Sequence, residues 1–366
     1  IWHKQGAPFI CLEPWNGLPD VVGSSFALCE KLGIYYVLIS DGRDIPSIAT
    51  NPSQSMLESK KFLGKQLHER DVSFIINRGG TMLYSARCPE FKTEEGMQKA
   101  VDVCKKRGID GIIAIGGDGT FRGATDLTRR GIPCIGIPAT IDNDISSTDY
   151  TIGFDTAMNT VVELVDKLRD TCESHARCNV VEVMGKYAGD IALHTGIATG
   201  AISIAVRELP YDEDQAIAKI IKARENKKRN FIVIVAEGKE NFAEAYAKRI
   251  EEKTGIETRF SRLAHVQRGG NPTVRDRVTA SLMGKAAVME LLDGKSNLVI
   301  CERKGVITSM DINKALKIDR MFKDLMTPEE YAELEAEGSL VDMRHHCEER
   351  AAAKLNLYRI SQEICK

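Results

Sequence analysis

A chain of 366 residues, 43% apolar and 28% charged, has the length for two ordinary domains, each with a core of its own. Its net charge of −2 offers no dominant field for nucleic acid or an anionic membrane, and no apolar run approaches the roughly 20 residues that cross a bilayer. The start, Ile1-Trp2-His3-Lys4-Gln5, lacks an apolar signal core, and the ten cysteines are scattered without a C-x-x-C pair. Reduced thiols used as small core residues in a cytoplasmic protein are the expectation.

Residues 1–70 carry weak patterns. The run Ala7-Pro8-Phe9-Ile10-Cys11-Leu12 suits a short strand, followed by a loop to Asp20, a helix near 25–31, a strand over 34–39, a Pro- and Ser-rich loop at 46–53 and a helix over 55–68. From about residue 94 the pattern becomes regular. A helix over 94–107 opens on acidic residues, aligns Met97, Ala100, Val101 and Cys104 on one face, and stops at Gly108. A strand at 111–115, a glycine turn at 116–120, a helix at 123–130 and a strand at 134–137 then make a β–turn–α–β unit, the building block of a parallel sheet. Helices at 156–171, 189–200, 213–225, 241–254 and 276–292 alternate with strands at 179–183, 202–206, 231–235 and 262–266. Thr327-Pro328-Glu329-Glu330 is a capping box with proline at the first helical position, and it opens a helix ending before Gly338. A last helix spans 341–364, where the adjacent His345 and His346 point different ways and make a poor metal pair. The expected fold class is α/β: two doubly wound sheet domains of parallel type, an active cleft between them, and a helical C-terminal tail.

Two loops carry chemistry. Pro138-Ala139-Thr140-Ile141-Asp142-Asn143-Asp144 follows a buried strand, where open α/β sheets bind ligands. Its carboxylates suit a general base or a divalent metal, and equally an Asx-rich turn that caps its own backbone. Gly116-Gly117-Asp118-Gly119-Thr120 leads from strand toward helix, where backbone N–H groups can approach phosphate oxygens; glycine turns in this place also serve purely structural ends. It is neither a P-loop nor a dinucleotide fingerprint. Arg87, Arg177, Arg259 and Arg268 add forks of donors suited to phosphate. Together these features point to phosphoryl transfer.

With these motifs the chain resembles the phosphofructokinase family over about residues 72–315. Gly-Gly-Asp-Gly-Thr at 116–120, Thr-Ile-Asp-Asn-Asp at 140–144, Asp-Tyr-Thr-Ile-Gly-Phe-Asp-Thr-Ala at 149–157, Val-Val-Glu-Val-Met-Gly at 180–185 and His-Val-Gln-Arg-Gly-Gly at 265–270 carry the resemblance, with Asn77-Arg78-Gly79-Gly80 and Ser85-Ala86-Arg87. It implies that Asp142 takes the proton from the 1-hydroxyl of fructose 6-phosphate, with Thr140 and Lys186 beside the transferred phosphoryl. Asp118 and Asp144 would be magnesium-side carboxylates, and Arg87, Cys88, Gly117, Asp118, Gly119 and Thr120 would contact ATP. The sugar phosphate would fall to Ile141, Met184, Gly185, Glu237, His265, Val266, Gln267 and Arg268. Arg177 and Arg259 would reach a neighbouring subunit's site in a homotetramer, and Arg169 and Lys228 would be effector contacts. Gly119 and Ala139 resemble the ATP-using branch rather than the pyrophosphate-using one. The implied domains are a larger nucleotide-binding one (72–153 plus 267–317) and a smaller sugar-phosphate one (154–266 plus 318–366), after a divergent or foreign segment at 1–71.

The chain also departs from the family. Residues 1–70 hold no Gly-Gly-Asp-x-Pro-Gly-x-Asn phosphate loop, and residues 6–15 faintly resemble the end of aldose 1-epimerases. Lys186 stands where the family has arginine, Ala139 where it has glycine, and Ile202 where it is usually acidic. A weakly active or silent binding subunit is therefore the alternative expectation, and a pyrophosphate-dependent kinase the third.

Overall fold

In the computed structural model, residues 10–12, 75–80, 89–106, 109–238 and 241–365 are described. Arg87, Cys88 and the elements expected over 25–68 lie outside them. Two sheets organise the chain. The first has the order β1 (Ile10–Leu12), β2 (Ile112–Gly116), β3 (Cys134–Pro138), β8 (Leu298–Arg303) and β9 (Val306–Asp311), parallel except for the antiparallel β8–β9 pair. The second is wholly parallel, ordered β5 (Ser203–Ala205), β6 (Phe231–Ala236), β4 (Cys178–Val183) and β7 (Thr258–Arg262).

Among the described residues, one compact unit takes the chain up to Ile141, Ile145–Gly153 and Gly270–Arg344; the other takes Asp142–Asp144, Phe154–Gly269 and His345–Lys366. Residues 318–344 thus group with the first unit and 267–269 with the second, the reverse of the sequence expectation.

The first unit buries β2, β3 and β8 against α1 (Glu94–Lys106), α2 (Asp118–Arg129), α7 (Val274–Leu292) and α8 (Ile312–Phe322). Strands covered on both faces become continuous apolar runs, as in Ile112–Ile115, where every side chain is buried. Gly136 in β3 is a packing requirement, because a Cβ there would press into the Phe121 ring of α2. In the second unit the alternation splits cleanly. Val180, Phe231, Val233 and Val235 pack with α5 (Glu213–Glu225) and α6 (Phe242–Thr254), while Val181, Ile232 and Ile234 are buried on the opposite face. That unit also holds α3 (Phe154–His175) and α4 (Asp190–Ala198). The chain ends through α9 (Pro328–Ala336), which opens on the expected capping box, and α10 (Leu340–Ile364).

Two local expectations are corrected, and one region is new. The helix expected from residue 123 begins at Asp118, so the glycine turn is the helix's own first turn; glycine's poor helix propensity hides this start in the sequence. The strand expected at 262–266 lies at Thr258–Arg262, and Ala264–Arg268 is a 3-10 turn, entered through Ala264 at φ +46°. The β8–β9 hairpin and α8 were not anticipated. The hairpin turns through Lys304 and Gly305, both at positive φ, the backbone shape of the tight hairpin turns usually written Asn-Gly. The cysteines resolved as free thiols are mostly buried, with burial pushing those of Cys172, Cys178, Cys134 and Cys301 up. No helix among the described residues is long and apolar enough to cross a membrane.

Candidate active site

In each unit, most of the described residues singled out by sequence lie at the carboxyl ends of strands, where N–H and C=O groups leave the ladder and loops are free to take ligands. In the first unit, β2 ends at Gly116, Gly117 caps α2, and Asp118, Gly119 and Thr120 form its first turn. Asp118 Oδ2 accepts from Arg122 Nη2 at 2.9 Å. Its Oδ1 and the Thr120 hydroxyl are buried and have no hydrogen-bond partner among the described residues. An anionic oxygen left so, at a helix N-terminus shaped for phosphate, fits a hard divalent cation arriving with that phosphate. No three acidic, His or Cys side chains among the described residues come together to hold a metal by themselves. Magnesium would therefore depend on the phosphates as co-ligands.

β3 delivers Thr140 and Ile141, both buried, and the Thr140 carbonyl accepts from Thr151 Oγ1 at 2.7 Å. The 149–157 motif has a structural task. The Tyr150 hydroxyl and the Gly153 N–H (2.8 Å) donate to the fully buried Asp276 in the first turn of α7, with the Arg275 guanidinium 4.1 Å from the Tyr150 ring centre. Ser146 donates to the buried Asp319 through its N–H (3.2 Å) and hydroxyl (3.0 Å). These anchors, Asp276 and Asp319, were missed in the sequence. Each is a single aspartate inside a helix, and only the fold brings it to its loop.

In the second unit, Asp142, Asn143 and Asp144 join loops from three strands. β4 ends in Met184-Gly185-Lys186, β6 in Glu237, and β7 in the turn bearing His265, Val266, Gln267 and Arg268. The β4 loop is tightly specified. Gly185 sits at φ 149°, where a Cβ would run into the Ala188 carbonyl oxygen, and Lys186 at φ 55°, a left-handed shape costly for a side-chain residue. Glu237 Oε1 repays the strain by accepting from both the Gly185 and Lys186 N–H groups, at 3.2 and 2.8 Å. The buried Gln267 accepts from Met184 N–H at 3.2 Å and donates to the Ala264 carbonyl at 3.0 Å. Val266 is 55% exposed and His265 is also exposed, both open to a ligand.

Lys186 Nζ pairs with the buried Asp144 at 3.3 Å. Asp142 is pushed up to about 7, first by burial, then by the Asp144 carboxylate, against a smaller opposing pull from Lys186. A carboxylate whose proton equilibrates near neutrality is matched to general-base work at physiological pH.

Four expected residues stand elsewhere. Arg177 precedes β4 and Arg259 lies in β7 opposite Asn179, so both sit at the amino ends of strands whose carboxyl ends bear Lys186 and Gln267. A strand of six residues separates the two edges by about 20 Å. Both arginines pair with Glu257, Arg177 at 2.7 Å. Arg169 and Lys228 occupy the same edge. Arg169 donates to the Asn230 side chain (2.8 Å) and the Thr199 carbonyl, while burial and the Arg169 charge lower the Lys228 amine.

Known proteins match this arrangement. The family model for phosphofructokinase matches residues 36–291, beginning earlier than the motifs that first suggested it. An ATP-dependent 6-phosphofructokinase 1 of Clostridium perfringens is 52% identical over 259 residues, 71% of this chain and 81% of that protein. A Bacillus pumilus ATP-dependent 6-phosphofructokinase is 53% identical over 248 residues, 68% of this chain and 77% of its own length. Among solved structures, phosphofructokinase from Saccharomyces cerevisiae superposes with a TM-score of 0.77 at 27% identity, over 87% of this chain and 46% of that one, so this chain spans under half the yeast chain's length. Half-identity across most of the chain, with the matching motifs lying at the strand ends just described, leaves one assignment: the chain belongs to the phosphofructokinase family.

Proposed function

We propose that the protein phosphorylates the 1-hydroxyl of fructose 6-phosphate with ATP, yielding fructose 1,6-bisphosphate. The observation that carries this reading is Asp142, a carboxylate with its proton equilibrium near 7 at a strand end, in a chain about half identical to ATP-dependent 6-phosphofructokinases. Asp142 accepts the hydroxyl proton as the oxygen attacks the γ-phosphorus and the bond to the β–γ bridging oxygen breaks to release ADP, and Lys186 supplies positive charge beside the transferring group. Glu237 and Gln267 hold the loops so that Met184, Gly185, His265 and Arg268 meet the sugar phosphate. The first turn of α2 takes the nucleotide phosphates. Asp118 and Asp144 would each offer a carboxylate oxygen toward magnesium, which would supply neutralisation of phosphate charge when bound with ATP. Arg177 and Arg259 complete a neighbouring copy's site in a homotetramer, Arg169 and Lys228 serve an effector, and the protein works in the cytoplasm.

A coupled assay with ATP, magnesium and fructose 6-phosphate tests the reading. Turnover equal to that of Asp142→Ala sinks it, and turnover with pyrophosphate in place of ATP transfers it to the pyrophosphate-using branch. One observation favours a second reading. Lys186 replaces the family's forked arginine and is already paired with Asp144, which suits a subunit that binds sugar phosphate without turning it over. Calorimetric binding of fructose 6-phosphate without turnover would select it.

A further inference from the structure

The C-terminal helix α10 lays a row of side chains four residues apart along the second unit, and every member is engaged. Gln362 accepts from Lys219 at 2.9 Å, and the Tyr358 hydroxyl donates to the Pro210 carbonyl at 3.2 Å. Lys354 Nζ lies between Asp190 Oδ2 (2.6 Å) and Glu208 Oε1 (2.8 Å), while that Glu208 oxygen also accepts from the Gly189 N–H. Lys354 is only 10% exposed, so this contact bolts the helix to the N-terminal end of α4. The first member of the row does something different. Arg350 Nη2 donates at 2.8 Å to the carbonyl of Asn143, the residue between Asp142 and Asp144.

Asn143 is buried with φ at 51°, in the left-handed region that asparagine tolerates best among side-chain residues. The peptide it begins carries the Asp144 N–H, so its orientation sets φ of Asp144 and ψ of Asn143, the residue that separates the two carboxylates. A guanidinium on its carbonyl is a charge-assisted bond, stronger than a neutral one, and opposes rotation of that peptide. We propose that Arg350 is a positioning residue. Through it the C-terminal helix holds the Asn143 peptide, and with it the aim of Asp142 and Asp144. The inference rests on the reading of Asp142 as the base.

Two readouts test it in the full-length protein. Amide exchange needs no activity: in Arg350→Ala the peptide spanning 142–145 is expected to exchange about tenfold faster than in the unaltered protein. In the coupled assay the same variant is expected to lose about 10- to 100-fold in kcat with KM for fructose 6-phosphate within about twofold. Added guanidinium should restore part of the loss, and Arg350→Lys should fall between. Lys354→Met, which cuts the neighbouring anchor without touching the loop, should lower Tm and spare kcat. Unchanged exchange and kcat in Arg350→Ala overturn the proposal. So does a kcat loss that follows Tm alike in both variants, which would make the helix a structural prop. Should Arg350→Ala not fold, Arg350→Met, which keeps much of the side chain's length and apolar stem but no donor, takes its place with the same two readouts. An inactive unaltered protein removes the kinase reading alone, because exchange still decides the role of Arg350.

Discussion

The two edges of the second sheet use charge in opposite ways. At the amino ends, Glu257 is shared by Arg177 and Arg259 on regular strand backbone, and the bond from Arg177 holds its carboxyl below the usual range. At the carboxyl ends, Asp142 is crowded by burial and by Asp144, and rises to about 7. The backbone differs in step. The carboxyl-end loops run through positive φ at Asn143, Gly185, Lys186 and Gly238, whereas β4 and β7 below them pair in unbroken register. A satisfied ion pair costs the fold little and leaves its carboxylate a poor base. A carboxylate crowded by burial and by a like charge costs stability and gains reactivity.

The largest break in this contrast is Asp142→Ala, which should lower kcat by about 10³-fold or more while sugar-phosphate binding persists in calorimetry. Glu237→Ala follows, because it leaves the Gly185 and Lys186 N–H groups without their shared acceptor. A loss of about 1–3 kcal/mol in stability and about 10- to 100-fold in kcat/KM is expected, read by thermal melting and the coupled assay. Asp142→Asn should separate stability from activity. The folded carboxyl titrates near 7 against an ordinary value of 3.8, so between those values the folded state holds the proton that the unfolded state has lost. Stability therefore falls as pH rises through this window, and the neutral amide escapes the penalty. At pH 8 the inactive variant should be more stable by about 1 kcal/mol or more, measured by melting at pH 5 and pH 8. The smallest effect on stability belongs to the other edge. Arg177→Ala should leave Tm nearly unchanged and return the Glu257 carboxyl toward its ordinary range, measured by carbon-detected titration.

Much of the sheet was legible because parallel strands buried on both faces become β-branched runs, such as Phe231–Ala236, bounded by turn residues. Helices with chemical stops were legible too. The α6 helix ends at Gly255 in the left-handed conformation, and α9 opens on its capping box. The misreadings have physical causes. Residues 262–266 alternate like a strand, yet β7 must align Arg259 with Asn179, which uses up the pairing before Leu263. Of the site, Asp142, Lys186 and Glu237 could be named from motifs, but not their coupling. That Glu237 clamps the Lys186 loop, that Asp319 fastens Ser146 and that Arg350 reaches Asn143 are contacts across 51, 173 and 207 residues, which no local pattern encodes.

The central claim is that the fold raises Asp142 into the working pH range of a base, and the pH profile of kcat/KM for fructose 6-phosphate tests it most directly. The acid limb should turn near pH 7. Removing the cation that favours the ionised form, in Lys186→Met, should move that limb to higher pH, while the substrate's own phosphate titration is common to both proteins and drops out of the difference. A limb at the same pH in both proteins, or a rate independent of pH between 6 and 8, would contradict the account.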